Sequence, residues 1–234
     1  MYGIILPNGR RGFGNFLEKE DYMKTEIPMY REEKRTYDLE RIEALIEESG
    51  GLAKTKDITD LGVDYRRLQQ FVADGELTKI KNGYYSEKKG KISEEKLIYA
   101  MFHKDGVLTM ESALYYHGYL KQRPFGWSIA IDKNASKSRF NLDYPVVTPY
   151  YTKAEVLELG VETLEKPGFE MKIYDRDRLI CDVLKYQEKL SKAEFQEGVF
   201  NYIRDDRKNI EHLMTYAEER QVKKKVHTMI GVWL

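Results

Sequence analysis

The sequence predicts an α+β protein, with an N-terminal winged helix-turn-helix followed by a mixed α+β domain that ends in several helices. Three observations lead there. Apolar residues recur at helical spacing in three short segments between Asp38 and Asp74. Two brief extended runs follow, joined by Asn82-Gly83, a strong hairpin-turn signal. Beyond Lys91, strand-like and helix-like segments mix, and the chain closes on three or four helices from about Asp175 to Ile230.

Residues 1–37 mix Gly, Arg and Glu without a sustained period and read as an N-terminal extension. Met23 and Met29 offer alternative starts within it. A first domain is expected over 38–91 and a second over 92–234. Asp38 is placed to cap a helix bearing Leu39, Ile42, Leu45 and Ile46, and Gly50-Gly51 stops it. A second helix fits Lys54–Leu61, closed by Gly62. A third fits Tyr65–Asp74, with Asp64 as N-cap and Gly75 just past its end. The extended runs Leu77–Lys81 and Tyr84–Ser86 flank Asn82-Gly83, where a type I′ turn needs positive φ at both residues. In the second domain Ser93 and Thr109 cap helices, and strands are expected over Trp127–Ile131, Tyr144–Thr148, Val161–Leu164 and Phe169–Tyr174.

Lys+Arg and Asp+Glu both total 39, so the chain is neutral and any nucleic-acid site is a local patch. Residues 52–91 hold nine basic residues against six acidic ones, a small local excess. The single cysteine, Cys181, lies in an apolar segment and reads as a small buried residue in a reducing compartment. No apolar run has the length of a membrane span, and Arg10-Arg11 follows Ile4–Leu6 where a secretory signal has its charges first. A cytoplasmic location is expected.

The third helix carries the chemistry. At about 100° per residue, Leu68, Phe71 and Val72 form a core stripe. Arg66, Gln70 and Ala73 fall on the opposite side, flanked by Arg67 and Gln69, with Tyr65 at the edge. An outward face with long hydrogen-bonding side chains and no acid suits the major groove of double-stranded DNA. There Arg reads guanine, Gln reads adenine, and Ala permits close approach. Lys79 and Lys81 share a strand face by period two. With Lys88, Lys89 and Lys91 just beyond, they are expected beside the phosphates. The DNA-binding candidates are therefore Lys54, Tyr65, Arg66, Arg67, Gln69, Gln70, Ala73, Lys79, Lys81 and Asn82. The alternative for the same unit is a protein-interaction module with solvated lysines.

The run Ile58–Tyr85 resembles the N-terminal domain of the AbiEi family, antitoxins of type IV toxin–antitoxin and abortive-infection systems. The matching residues are Leu61-Gly62, Leu68 and Val72, Gly75-Glu76-Leu77, and Gly83-Tyr84-Tyr85. The resemblance continues at Leu108–Leu114, His117-Gly118 and Asp175–Tyr186. It implies a transcriptional regulator that represses its own operon at inverted repeats. It also implies a C-terminal domain that counters a nucleotidyltransferase toxin, without a stable complex being required. No enzymatic activity and no cofactor are expected.

The enzymatic rival is a divalent-metal nuclease built on Asp143, Glu170 and Lys172, since Glu170 and Lys172 would share a strand face. Glu-x-Lys also occurs at Glu32–Lys34, Glu87–Lys89 and Glu94–Lys96, as a charge-rich chain produces by chance. The four histidines show no ligand spacing, and Gly9–Gly14 lacks the strand–helix context of a nucleotide loop. Tyr115, Tyr116 and Tyr119 read as core or interface, and Lys223–Lys225 as a candidate surface or a solvated helix face.

Overall fold

A computed structural model describes residues 30–233. Residues 1–29 of the expected extension, including Ile4–Leu6, Gly9–Gly14, Met23 and Met29, lie outside the described residues. The first helix, α1 (Arg31–Glu48), begins well before Asp38. Asp38 is not its cap: the side chain is buried mid-helix and accepts a hydrogen bond from the Arg67 guanidinium. A carboxylate just ahead of an apolar run looks the same in either role; the distant arginine decides between them. The expected boundary at 37/38 therefore falls inside a helix.

After α1 come β1 (Ala53–Lys54), α2 (Thr55–Asp60), α3 (Tyr65–Ala73), β2 (Leu77–Lys81) and β3 (Tyr84–Glu87). The strands form an antiparallel sheet in the order β1-β3-β2. Ile42 and Ile46 of α1 pack with Ile58, Leu68, Phe71, Leu77 and Tyr85 into one core. Asp64 caps α3 as expected, accepting the Arg67 backbone N–H at 2.9 Å.

The hairpin departs from expectation. Of Asn82-Gly83, only Gly83 takes positive φ, at 78°, so the turn is not type I′. The pairing also jumps from Lys79↔Tyr85 to Lys81↔Tyr84 and leaves Ile80 out. This extra residue breaks the period-two alternation on which the shared face of Lys79 and Lys81 was predicted.

The rest of the chain builds a second core. In order come α4 (Glu94–Phe102), β4 (Val107–Leu108), α5 (Met110–Tyr116), β5 (Trp127–Asp132), a helical turn at Lys137–Phe140, β6 (Val147–Thr152) and α6 (Ala154–Leu157). They are followed by β7 (Val161–Lys166), β8 (Phe169–Tyr174), α7 (Arg176–Lys185), α8 (Lys192–Arg204), α9 (Ile210–Glu219) and α10 (Lys223–Met229). The five strands lie in the order β6-β5-β4-β8-β7, with β5/β6 and β4/β8 parallel. Leu108, Ile129, Ile131 and Ile173 of the sheet share a core with Leu114 of α5 and Leu179, Ile180, Val183 and Leu184 of α7.

Ser93 caps α4 as predicted. Thr109 does not cap α5: its hydroxyl is buried with no hydrogen-bond partner among the described residues, and Met110 behind it takes φ 45°. The strand expected over Tyr144–Thr148 lies instead at Val147–Thr152. Pro145 has no N–H for a ladder, and the Tyr144 N–H turns away to the Ile80 carbonyl. Cys181 is buried as expected, its thiol 3.8 Å from the Leu213 carbonyl, and burial pushes its pKa up.

Gly160, ahead of β7, is sterically committed. At φ 70°, a Cβ there would fall 2.5 Å from Cβ of Arg178, an atom fixed by the backbone of α7. Gly160→Ala is expected to destabilise the protein by about 2–4 kcal/mol, from left-handed strain plus overpacking. Urea denaturation of the two forms measures it.

Asp205, after α8, accepts bonds from Arg207 at 2.8 and 2.9 Å and from the Tyr119 hydroxyl at 2.6 Å. The Arg207 guanidinium, helped by Tyr119, holds this carboxyl well below the usual range. A depressed folded pKa stabilises above the unfolded value of about 3.9 and is lost as pH falls through the folded one. The melting-temperature gap between wild type and Asp205→Asn should therefore be full at neutral pH and shrink as pH drops below about 4.

The described residues thus form a mixed α+β protein with ten helices and two sheets. None of these helices is long and apolar enough to cross a membrane.

Candidate nucleic-acid interface

Leu68 and Phe71 are fully buried under α3, which orients everything else on that helix. Arg66, Gln70 and Ala73 are exposed on its outer side, and Tyr65 beside them is 57% exposed. Arg66 has no ion-pair partner among the described residues. The two flanking candidates are committed inside the molecule. Arg67 is tied to Asp38 on α1, and Gln69 donates to the Tyr85 hydroxyl on β3 at 3.0 Å. Both act as struts that fix the pitch of α3 against its neighbours.

Next to this face, between the first turns of α1 and α3, lies a cleft of about 340 Å³ lined by Arg31, Arg35, Asp64, Arg66, Gln70 and Phe71. Arg35 stacks on the Phe71 ring at 5.1 Å and pairs with Asp74 and Glu76 at 2.8 and 2.6 Å. Those carboxylates raise its pKa. Arg31 is exposed at the mouth. Sequence reasoning missed both arginines because the apolar stripe begins only at Leu39. Their signal was the four-residue spacing of Arg31 and Arg35, which puts them on one helix face.

The basic residues of the hairpin are less free than the sequence suggested. Lys79 pairs with Asp143 at 3.2 Å, and Lys81 lies over the Tyr84 ring at 4.5 Å. Burial, with Arg139 nearby, lowers the Lys81 pKa. Lys89 rests on the Tyr144 ring at 4.5 Å, and Lys91 bridges Glu43 and Glu87. Asn82 at the tip, Lys54 at the start of α2 and Lys88 are exposed.

The nuclease trio has partners of its own. Asp143 is held by Lys79, Lys172 by Glu158 at 3.0 Å, and Glu170 is exposed on β8. No group of three or more His, Cys, Asp or Glu side chains able to hold a metal occurs among the described residues. His117 packs at a helix end, its Nε2–H donating to the Tyr174 carbonyl at 2.7 Å, and burial lowers its pKa. In the Lys223–Lys225 run, Lys225 donates to the Leu184 carbonyl and Lys223 pairs with Glu218, which leaves Lys224 at the surface.

No family model matches the chain, and no curated protein matches it. Among solved structures, the RV2827C protein from Mycobacterium tuberculosis is similar, with a TM-score of 0.57 and 14% identity. The likeness covers 78% of this chain and 71% of that one. At this identity it carries the fold alone, and the α+β architecture is what the two chains share.

Proposed function

We propose that residues 31–91 are a winged helix that binds double-stranded DNA, and that the chain is a non-enzymatic, autoregulatory antitoxin acting in the cytoplasm. The carrying observation is the face of α3. Arg66, Gln70, Ala73 and Tyr65 stand exposed together while Leu68 and Phe71 are buried, on a helix followed directly by a two-stranded hairpin. Helix, helix and hairpin in that order present one helix to the major groove. Arg66 and Gln70 have the lengths and donors for guanine and adenine edges. Arg31, at the mouth of the adjoining cleft, is the natural contact to a phosphate beside the groove, with Lys54, Lys88 and Asn82 as further backbone contacts.

The C-terminal role, countering a nucleotidyltransferase toxin, rests on the AbiEi resemblance alone. Gel shift of the full chain with a duplex of the sequence upstream of its own gene tests the DNA-binding half. A retarded band that a random duplex does not compete away supports it. No band at any moderate salt concentration sinks it and favours a protein-docking role for the same unit. Co-expression with a neighbouring nucleotidyltransferase tests the other half, with loss of growth rescue the adverse result.

A further inference from the structure

The hairpin and the C-terminal unit meet along a seam at Ile80. Because the bulge drops Ile80 from the β2–β3 ladder, its carbonyl is free to accept the Asp143 N–H at 2.8 Å and the Tyr144 N–H at 3.4 Å. Ile80 itself is fully buried. These two bonds place the Asp143 carboxylate 3.2 Å from the Lys79 ammonium. The ring of the neighbouring Tyr144 lies under the Lys89 ammonium. Asp143 is 56% exposed and Lys79 35%, so the pair sits at the surface, where an incoming phosphate can compete for the lysine.

We infer that Asp143 is a built-in brake on DNA binding, an intramolecular carboxylate that occupies Lys79 and must be displaced before that lysine can meet a DNA phosphate. The inference rests on the reading of the first unit as a DNA-binding winged helix, and it adds the regulation of that site. A carboxylate delivered by the second unit gives that unit a hold on the first. Whatever shifts the Lys137–Tyr144 segment also changes the number of cations available to the backbone. An exposed ion pair contributes little to stability, so its cost to the fold is small and its effect falls on binding.

The test uses Asp143→Asn, which removes the charge and keeps the backbone bonds to Ile80. Binding of the full chain to its upstream duplex and to a random duplex is measured from about 50 to 200 mM salt. The variant is expected to bind both duplexes about three- to tenfold tighter at the low end. Its log–log salt dependence should steepen by about 0.9, the signature of one more neutralised phosphate. The melting temperature should stay unchanged.

A double-mutant cycle with Lys79→Gln separates this from a general loss of negative charge. The gain from Asp143→Asn should vanish in the Lys79→Gln background, and a gain that persists there overturns the brake. Unchanged affinity and slope in Asp143→Asn, with Arg66→Ala still weakening binding, overturns the brake but leaves the proposed function standing. If neither wild type nor Asp143→Asn binds any duplex, both fall together.

Discussion

Replacing Asp182 by asparagine is expected to cost about 3–5 kcal/mol of stability, the usual penalty for removing one partner of a buried ion pair. Asp182, on α7, is 3% exposed and lies between two buried arginines, with Arg178 at 2.5 Å and Arg220 at 2.7 Å. Burial acts to lower the Arg220 pKa, but Asp182 beside it, helped by Tyr186, more than reverses this. Arg220 also donates to the Thr152 hydroxyl at the end of β6, which ties sheet and helices together through the same group.

Without Asp182, the Arg178 guanidinium keeps, among the described residues, the face of Tyr174 and a long bond to the Val156 carbonyl, and its Nε has no hydrogen-bond partner among them. Both buried cations would then lose the carboxylate that they share. For a chain of this size the loss corresponds to a fall of roughly 6–20 °C in melting temperature. Calorimetry or urea denaturation measures it, and a shift under about 2 °C would show that water reaches the arginines.

The second large effect concerns specificity. Arg66→Ala is expected to reduce discrimination for the preferred duplex by roughly 5- to 150-fold, the worth of about 1–3 kcal/mol for one bidentate base contact. Gln70→Ala should act similarly, at a different base position. Neither should lower the melting temperature, because both side chains are exposed on α3. Arg67→Ala is the contrasting case. It frees Asp38 inside α1 and should damage the fold together with binding. Competition gel shifts against single-base variants of the duplex resolve the two. If Arg66→Ala leaves operator preference unchanged at moderate salt, α3 does not read bases in the way assigned to it.

The legible features are the ones written locally. Asp64, Ser93 and Gly83 act within a few residues of themselves, and α3's exposed and buried sides follow from one helical period. Asp38 and Thr109 were misread because the same residue types serve as caps or as buried groups, and a distant neighbour decides which. Arg67, Gln69 and Lys79 look on the sequence like free donors. Each is taken by a residue elsewhere in the chain: Asp38, Tyr85 and Asp143. The two-residue strand β4 is too short to show a period, and the hairpin bulge depends on where β3 pairs. The helix face of α3 was therefore visible in the sequence, and the contacts that tie up its neighbours were not.

The burial of Cys181 has a practical consequence. It is the sole thiol of the chain, sealed at the centre of α7 with no exposed surface. A thiol reagent therefore meets the protein only when the C-terminal core opens, and each modification event counts one such opening. The core around Ile42, Ile58 and Leu68 contains no thiol and stays silent in the same measurement. Labelling kinetics with and without duplex would then separate two ways in which DNA, bound as proposed, can stabilise the chain. A slower rate means that the helix-rich half is being held shut, whereas an unchanged rate confines the stabilisation to the half proposed to bind DNA.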